Sequence, residues 1–296
     1  MLLTIITPTY NRAHCLPNIY NALLKERNKD FEWIIIDDGS IDDTCELVNS
    51  WINENKILIR YIKKENAGKT NALITAFDSN PKGQFSLVLD SDDYLVENFY
   101  DIINNEIDKM EDGEIGFSAL KSDLSGNLIG SRFNILRGNY IDLYFGRNKS
   151  LGDKIFIVNT NVYKDSLVKT FAGEKLIPES VFYINMAKKG NYRFLNQVLY
   201  KGDYLNDGLS FDVIKLASKN INGFILEKQI LQTYSLPFFE KIKNEVKYIF
   251  YSFSGSRSIS KIFNDSNNKF LTLFFILPTF IFMKKRIENI RRLRQL

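Results

Sequence analysis

The first half of the chain alternates short apolar runs with longer amphipathic segments. The apolar runs predict strands at residues 3–6, 33–36, 58–62 and 85–89. The amphipathic segments predict helices at residues 16–26, 43–52 and 69–77. Because Ile34-Ile35-Ile36 and Leu87-Val88-Leu89 do not alternate apolar with polar residues, we expect these strands to be covered on both faces. The pattern therefore predicts a parallel sheet flanked by helices, a doubly wound α/β layer.

Polar and acidic clusters directly follow three of these strands. They are TPTYN at 7–11, DDGS at 37–40 and DSDD at 90–93. In open parallel sheets, ligands bind at the carboxyl ends of the strands. Three such clusters at one edge of a sheet predict a binding site there.

From about residue 209 the pattern becomes helical, and residues 270–283 are strongly apolar although Pro278 interrupts them. This stretch is shorter than the ~20 residues that a membrane span needs. Six basic residues and one acid follow it in 284–296. An apolar stretch beside a polybasic one predicts a helix lying on an anionic membrane. The alternative is a C-terminal helix packed on the body or on another subunit, which leaves a homo-oligomer open, with its basic residues at the dipole-favoured end.

Composition narrows the function further. The chain has 296 residues, 45% of them hydrophobic and 25% charged, which fits one large globular domain or one domain with an appendage. Two cysteines and an N-terminus without signal-peptide features predict a cytoplasmic protein. The net charge of +4 is concentrated in the basic tail, which argues against nucleic-acid binding. With a single histidine, His14, a divalent cation would be held by carboxylates, so we expect Mg²⁺ or Mn²⁺.

The segment LVLDSDD at 87–93 carries the clearest chemical signal. A buried strand would deliver Asp90 and Asp92 into a cleft, where two carboxylates can hold a hard cation against a diphosphate. The alternative is an Asp-rich turn in which Asp93 caps the next helix.

Four segments occur in order over about 90 residues: LTIITPTYNR at 3–12, IIIDDGSIDDT at 34–44, ENAGKTNAL at 65–73 and LVLDSDD. Together they resemble glycosyltransferase family 2, the inverting enzymes with a GT-A nucleotide-binding fold. Weaker similarity continues through GDK at 152–154, EKLIPES at 174–180 and YLNDGLS at 204–210, and similar segments occur in enzymes of bacterial surface-polysaccharide pathways. The resemblance implies a Rossmann-like GT-A domain at 1–208, with a nucleotide-binding half at 1–93 and an acceptor and catalytic half at 94–208. A helical C-terminal region at 209–296 would follow.

The resemblance also implies roles on the donor side of a site. Thr7, Pro8 and Tyr10 would line the uracil end of the pocket, and Asp38 would accept hydrogen bonds from the base. Asp37 would either share that role or fix the loop.

Lys69, at the start of the third predicted helix, would meet the nucleotide or diphosphate. Asp90 would contact the ribose or metal-bound water, and Asp92 would bind the metal. Asp153 could hydrogen-bond the donor sugar or acceptor, with Lys154 steadying the diphosphate, or their turn could have no chemical role. Asp207 is first a turn former and second a site residue.

An inverting transfer needs a general base for the acceptor hydroxyl. In the family this carboxylate begins a helix downstream of the D-x-D motif, which is Asp90-Ser91-Asp92 here. Glu174 and Glu179 both lie in that downstream region. Pro178 predicts a helix start with Glu179 in the first turn, so we favour Glu179. Ser180 follows where the family often has a second acid.

The sequence therefore predicts a hexosyl- or N-acetylhexosaminyltransferase, peripheral on the inner face of the cell membrane. It would use a UDP-sugar and Mn²⁺ or Mg²⁺ to extend a lipid-linked or growing surface glycan. A sugar nucleotidylyltransferase is disfavoured because no glycine-rich loop follows the first strand. A non-catalytic nucleotide-sugar-binding protein is disfavoured by the intact Asp90, Asp92 and Glu179. A processive polysaccharide synthase is disfavoured because it would carry several membrane spans, which this sequence does not show.

Overall fold

A computed structural model describes residues 1–203 and 212–295. The chain divides into two compact units. The first comprises Met1–Tyr144, Asn148–Leu167 and Asn185–Asp203, and the second comprises Phe145–Arg147, Val168–Ile184 and the C-terminal helices. The predicted domain boundary at 208 lies outside the described residues. Residues 168–184, which we assigned to the first domain, group with the C-terminal helices instead.

A mixed β-sheet forms the centre of the first unit. Its strands in the described residues are β1 (Leu3–Thr9), β2 (Phe31–Asp37), β3 (Leu58–Lys63), β4 (Phe85–Val88), β5 (Tyr94–Leu95), β6 (Glu114–Ser122), β7 (Arg137–Gly138), β8 (Lys154–Asn159) and β9 (Asn191–Lys201). Their order is β3-β2-β1-β4-β8-β6-β9-β5, and β7 pairs with β9.

Helices connect the strands and make up the end of the chain. Up to residue 186 they are α1 (Leu16–Lys25), α2 (Thr44–Glu54), α3 (Lys69–Asp78), α4 (Phe99–Ile107), α5 (Tyr140–Phe145), α6 (Thr160–Lys164) and α7 (Ser180–Met186). The C-terminal helices are α8 (Val213–Lys219), α9 (Ile221–Leu231), α10 (Phe238–Ser254), α11 (Ile259–Asp265) and α12 (Lys269–Gln295).

The four strands and three helices predicted in the first half are all present, with ends that differ by no more than three residues. Strands β3, β2, β1 and β4 are parallel, and every residue of β2 is buried. The predicted parallel sheet, covered on both faces, is confirmed.

The chain changes direction across this sheet between β1 and β4. It runs outward from β1 through β2 to β3 and then returns to place β4 on the other side of β1. A crevice opens at the carboxyl ends of the strands where the order reverses in this way, and ligands bind there in open α/β sheets. The loops after β1 and β4 therefore flank the predicted site.

The second half of the sheet was not predicted strand by strand. Strand β8 pairs antiparallel with both β4 and β6, whereas β6 and β9 are parallel. The sheet is therefore mixed, and the motifs lie on its four adjacent parallel strands, β3, β2, β1 and β4.

The second unit is helical, as predicted for the end of the chain. Its core contains Tyr248, Ile249 and Phe253 of α10 and Ile276 and Ile287 of α12. Helix α12 runs without a break through Pro278, although proline lacks the N–H that a helix interior uses. Packing of the C-terminal helix, the alternative to membrane binding, is thus observed for one face of α12 within the second unit, and membrane association stays a prediction. Across residues 1–203 and 212–295, no helix has both the length and the apolar character that a membrane crossing requires.

Candidate functional site

The loops after β1 and β2 hold each other in place. Asn11 has a left-handed backbone (φ 52°), a conformation that asparagine tolerates better than most residues. Its N–H donates to Ser40 Oγ at 2.8 Å, and its Oδ1 accepts from the N–H of Ile41 at 2.9 Å. The N–H of Ala13 donates to Asp42 Oδ2 at 3.0 Å. These contacts give the edge of the sheet a fixed shape before any ligand binds.

Asp38 ties the loop after β2 to the loop that precedes α3. Its Oδ1 accepts from Lys64 Nζ at 2.8 Å and from the N–H of Ala67 at 3.0 Å, and its Oδ2 accepts from the N–H of Gly68 at 2.7 Å. The residue is 5% exposed. A carboxylate can accept about four hydrogen bonds, so one acceptor position is unused by these contacts. Base recognition by Asp38 stays a prediction. The structure adds a second role that was not predicted, because these hydrogen bonds hold the two loops together.

Asp37 fixes the loop, the second of the two roles considered for it. Its carboxylate is fully buried and accepts from the Ser40 N–H at 2.7 Å and from Tyr61 Oη at 2.5 Å. Burial and the Asp37 charge raise the pKa of Tyr61 well above its ordinary value, so Tyr61 remains a donor.

Two of the three side chains predicted to line the base pocket at the end of β1 are exposed at least in part. Tyr10 is 48% exposed, and Pro8 is partly exposed. The side chain of Thr7 is fully buried, and its Oγ1 accepts from Trp33 Nε1 at 2.9 Å. The expectation that the Thr7 side chain lines the base pocket is corrected by this contact. Side chains alternate along a strand, and Thr7 points to the same core as Ile5.

The structure brings together two predicted site residues from different motifs. Lys69, the first residue of α3, places Nζ 2.5 Å from Asp90 Oδ1. Desolvation opposes the charged form of Asp90, but the Lys69 ammonium outweighs it and holds the pKa of Asp90 below its ordinary value. The Asp90 side chain is still 47% exposed. A carboxylate and a cation thus meet at the carboxyl end of β4.

Asp92 differs from Asp90 in having no hydrogen bond or ion pair with the residues that the structure describes. Its side chain is partly exposed. Among those residues, no group of three or more His, Cys, Asp and Glu side chains could hold a metal ion by itself. Two hard carboxylates on one short turn nevertheless suit Mg²⁺ or Mn²⁺, which are often bound by one or two carboxylates together with substrate phosphates. The donor set fits the predicted cation.

A buried ion pair lies beneath the D-x-D turn. Lys121 Nζ is 2.9 Å from Asp93 Oδ1, and both side chains are about 10% exposed. Burial and the Asp90 charge raise the pKa of Asp93 to about 7, although Lys121 opposes the shift. Lys121 also lies over the Tyr200 ring, and a Cβ at Gly202 would come within 2.2 Å of Asp93 Oδ1. Strand β9 therefore approaches this pair closely.

Sequence reasoning missed Lys121. The available signal was a lysine near the end of β6, whose residues Ile115–Ser122 are all buried. A lysine is seldom fully buried without a partner, so its position points to a carboxylate elsewhere.

The turn containing Asp153 is built from closely packed backbone. Gly130 and Gly152 both have left-handed backbones, and a Cβ at Gly152 would lie 2.6 Å from the Cα of Gly130. Asp153 is exposed, which leaves its predicted contact with sugar or acceptor open. Lys154 is buried, and its Nζ donates to the carbonyls of Leu151 and Gly152 at 2.5 and 3.2 Å. In this structure Lys154 steadies the turn rather than facing solvent.

The two candidate bases have different surroundings within the second unit. The carboxylate of Glu174 accepts from the N–H and Nδ2 of Asn222 at 2.8 and 2.9 Å and from the N–H of Gly223 at 3.1 Å. It thereby caps the first turn of α9. Glu179 is partly exposed and directly precedes α7, near the helix start that Pro178 predicted. A capping carboxylate is poorly available to take a proton, and the choice of Glu179 as the base stays a prediction.

Two further predictions fall on residues outside the described ranges. They are the turn-forming Asp207 and the segment YLNDGLS at 204–210.

The sequence profile of Glycosyl transferase family 2 matches residues 4–164, more than half of the chain. The matched region contains β1 to β4 and the contact between Lys69 and Asp90. The chain belongs to glycosyl transferase family 2. This finding confirms the family that the four motifs indicated.

Two relatives of the chain are much longer proteins. The chain is 26% identical to Glycosyltransferase GlyA of Streptococcus pneumoniae over 219 residues, which cover 70% of this chain and 30% of GlyA. It is 25% identical to the Chondroitin synthase of Pasteurella multocida over 259 residues, which cover 84% of this chain and 26% of the synthase. The chain thus matches less than a third of the length of each of these relatives.

Solved structures confirm the GT-A fold. Residues 1–349 of Staphylococcus aureus TarS in complex with UDP-GlcNAc match all of this chain and 91% of TarS 1–349, with a TM-score of 0.63 and 17% identity. The mannosyltransferase PcManGT of Pyrobaculum calidifontis, in complex with GDP-Man and Mn²⁺, matches 99% of this chain and 86% of its own, with a TM-score of 0.56 and 14% identity. At these identities the likeness concerns the fold alone.

Proposed function

We propose that this chain transfers a sugar from a nucleoside-diphosphate donor, a UDP-sugar, to an acceptor hydroxyl with inversion at the anomeric carbon. The observation that carries the proposal is the contact between Lys69 and Asp90, with Asp92 beside it, at the point where the strand order reverses. Family membership and the UDP-GlcNAc complex of the TarS fragment support this class of donor.

The nucleotide would lie along the carboxyl edge of β1, β2 and β4. Tyr10 offers an exposed ring for stacking the base, and Pro8 adds apolar contact beside it. Lys69, the first residue of α3, adds a cation at the N-terminal end of this helix, where the helix dipole favours an anion such as the diphosphate. Asp90 is oriented by Lys69, so that its second oxygen is available to a ribose hydroxyl or a bound water.

Asp92, with Asp90 beside it, would hold Mn²⁺ or Mg²⁺. The bound cation would supply Lewis-acid stabilisation of the departing diphosphate. The Mn²⁺ in the complex of PcManGT supports a divalent cation in this fold. Lys69 contributes to the same charge balance as a fixed positive group near the phosphates.

Glu179 would act as the general base. It would take the proton of the acceptor hydroxyl as that oxygen forms a bond to the anomeric carbon, while the bond from this carbon to the diphosphate oxygen breaks. Attack on the face opposite the leaving group gives inversion. Support for Glu179 over Glu174 comes from the three hydrogen bonds that already occupy Glu174.

The acceptor we infer is a lipid-linked or growing surface glycan, met on the cytoplasmic face of the cell membrane. The names of the relatives, a chondroitin synthase and a streptococcal glycosyltransferase, support a glycan acceptor. The transferred sugar would be a hexosyl or an N-acetylhexosaminyl group. The UDP-GlcNAc bound by the TarS fragment carries a sugar of the second kind.

Calorimetry of UDP binding, with and without Mn²⁺, tests the site. We expect Asp92→Asn to lose most of the metal-dependent part of the affinity, because one ligand charge is removed where the cation meets the diphosphate. Asp112→Asn is the matched control, because Asp112 is exposed and lies in the loop before β6. Metal-independent UDP binding that is the same in wild type, Asp92→Asn and Asp112→Asn would refute the site.

A further inference from the structure

Helix α12 carries apolar side chains on two opposite faces. One face is packed in the second unit, where Thr272, Ile276, Thr279, Ile287 and Ile290 are buried. The other face is exposed along most of the apolar stretch. A helix of a globular protein ordinarily has one apolar stripe directed to the core, so the second stripe needs its own explanation.

The second stripe is continuous. At 3.6 residues per turn, Phe270, Leu273, Phe274, Leu277 and Ile281 fall on one side of the helix, and these side chains are 58–78% exposed. Phe282 is 88% exposed as well, but it lies about 100° around the helix from Ile281. The five large apolar side chains on one side form a contiguous patch, and patches of this kind mark interaction surfaces. We call this surface the outer face of α12.

Cationic residues continue the outer face toward the end of the helix. Lys284, Lys285 and Arg292 follow Ile281 at helical spacing on the same side, interrupted by Glu288. A surface pocket of about 390 Å³ is lined there by Lys285, Arg286, Glu288, Asn289 and Arg292. The outer face therefore changes from apolar to cationic along a single line.

Two other basic residues of the tail have structural tasks. Arg291 donates through Nε and Nη2 to the carbonyl of Phe253 at 3.0 and 2.7 Å, and Arg294 donates to the carbonyl of Ser254 at 3.2 Å. These carbonyls lie at the end of α10, where backbone acceptors have no partner within the helix itself. Of the six basic residues, two thus contact the end of α10, and the other four, Lys284, Lys285, Arg286 and Arg292, are all exposed.

We propose that the outer face of α12 binds the surface of an anionic bilayer. Its apolar part would enter the boundary between headgroups and acyl chains, and Lys284, Lys285 and Arg292 would contact anionic headgroups. Because the opposite face is buried in protein, lipid cannot surround the helix, which therefore lies parallel to the membrane plane. The pocket beside Lys285 gives a phosphate headgroup a cationic place to bind.

Charge distribution favours a membrane over a second copy of the chain. Self-association through the outer face would place its cationic residues against one another or against its own apolar stripe, and both arrangements leave charges without partners. An anionic bilayer supplies an apolar layer and a negatively charged layer side by side, in the order that the outer face presents them.

Co-sedimentation of the full chain with vesicles tests the proposal. We expect binding to phosphatidylglycerol-containing vesicles and much weaker binding to phosphatidylcholine vesicles. Phe274→Glu with Leu277→Glu should lower binding by about tenfold or more, because two charges enter the apolar part. Leu136→Glu is the matched control, since Leu136 is 76% exposed but lies in the first unit.

A second pair of variants isolates the cationic part. Lys284→Gln, Lys285→Gln and Arg292→Gln together should abolish the preference for anionic vesicles and the sensitivity of binding to salt. Replacing three exposed lysines of the first unit, Lys25, Lys56 and Lys109, by Gln should change neither.

Two results would overturn the proposal. One is an intact chain that does not sediment with anionic vesicles. The other is a dimer in sedimentation equilibrium that Phe274→Glu with Leu277→Glu converts to monomer, which would make the outer face a contact between copies. UDP calorimetry on the same variants keeps this test separate from the proposed function, because loss of vesicle binding with intact UDP binding concerns the outer face alone.

Discussion

Asp37 ends β2, and Asp38, Asp90 and Asp92 follow strands of the parallel sheet, but the four carboxylates have different surroundings. Asp37 and Asp38 are almost fully buried and accept hydrogen bonds from loop N–H groups and from Tyr61 and Lys64. Asp90 is half exposed beside Lys69, and Asp92 is partly exposed. Satisfied, buried carboxylates hold loops, whereas exposed carboxylates at the crevice can meet a cation.

Glu179→Gln should leave UDP affinity unchanged and lower turnover by about 10²-fold or more, the usual effect of losing a general base. The amide keeps the size of the side chain but cannot accept the proton of the acceptor. Steady-state kinetics with a metal-saturated enzyme, combined with UDP calorimetry, measures both quantities. A Glu179→Gln enzyme with wild-type turnover would remove Glu179 from the mechanism.

Lys154 gives the stability of the protein a dependence on alkaline pH. Burial lowers the pKa of Lys154 to about 8, against 10.5 for an exposed lysine. Between these values the folded state has released its proton while the unfolded state retains it, so folding gains stability as pH rises through this window. Relative to Lys154→Met, the wild type should gain on the order of 3 kcal/mol between pH 7.5 and pH 10.5.

Urea unfolding at these two pH values measures the effect of Lys154→Met, because titration of other groups cancels in the comparison. Lys82→Met is the matched control, since Lys82 is exposed. A constant difference between wild type and Lys154→Met across the range would show that the ammonium of Lys154 is solvated.

At the scale of elements, the sequence predicted the parallel half of the sheet well. Runs such as Ile34-Ile35-Ile36 are short, apolar and bounded by polar clusters, so that periodicity and turn residues agree. Strands β6, β8 and β9 were not predicted, because antiparallel and parallel pairing in the second half depends on contacts between residues far apart. The contact of Lys121 with Asp93 shares that origin, since no local pattern joins them.

The site residues divide in the same way. The pairing of Lys69 with Asp90 follows from two motifs at one sheet edge, which the sequence could place together. The inward orientation of Thr7 depends on the register of β1. Trp33 Nε1 on the neighbouring strand donates to the Thr7 hydroxyl oxygen. The capping of α9 by Glu174 joins residues nearly fifty positions apart, which spacing along the chain does not reveal.

Glu174→Ala should weaken the start of α9 and leave the chemistry to Glu179. The substitution removes three hydrogen bonds and a negative charge from a helix N-terminus, an effect of about 1 to 2 kcal/mol on the free energy of unfolding. Denaturant unfolding measures the loss, and turnover measured well below the melting temperature should fall far less than in Glu179→Gln. Unchanged stability together with a 10²-fold loss of turnover would instead identify Glu174 as the base.

At the scale of the whole molecule, α12 is part of the second unit as well as a candidate membrane surface. Removing residues 270–296 would uncover Tyr248, Ile249 and Phe253, so deletion is a poor test of membrane binding. Ile276→Ala should lower the stability of the second unit by about 2 to 5 kcal/mol, because it leaves a cavity in the core. Phe282→Ala, at a position 88% exposed, should leave it unchanged.

Segment-resolved hydrogen exchange measures the local stability of the second unit in both variants. The amide exchange rates of α9 and α10 are the quantities to compare. Faster exchange in these helices for Ile276→Ala but not for Phe282→Ala is the expected result. Equal exchange in the two variants would mean that the inner face of α12 contributes little to the core.

The buried pair of Asp93 and Lys121, with Gly202 against it, has a consequence for how this sequence can evolve. Loss of the Lys121 charge leaves the Asp93 carboxylate buried beside the like charge of Asp90, at a cost of about 3 to 5 kcal/mol, whereas replacing both members of the pair by apolar residues can be neutral. A side chain at 202 is excluded while Asp93 Oδ1 occupies that space. Positions 93, 121 and 202 should therefore co-vary in an alignment of related chains, and a residue larger than glycine at 202 should appear only where 93 and 121 have both lost their charge.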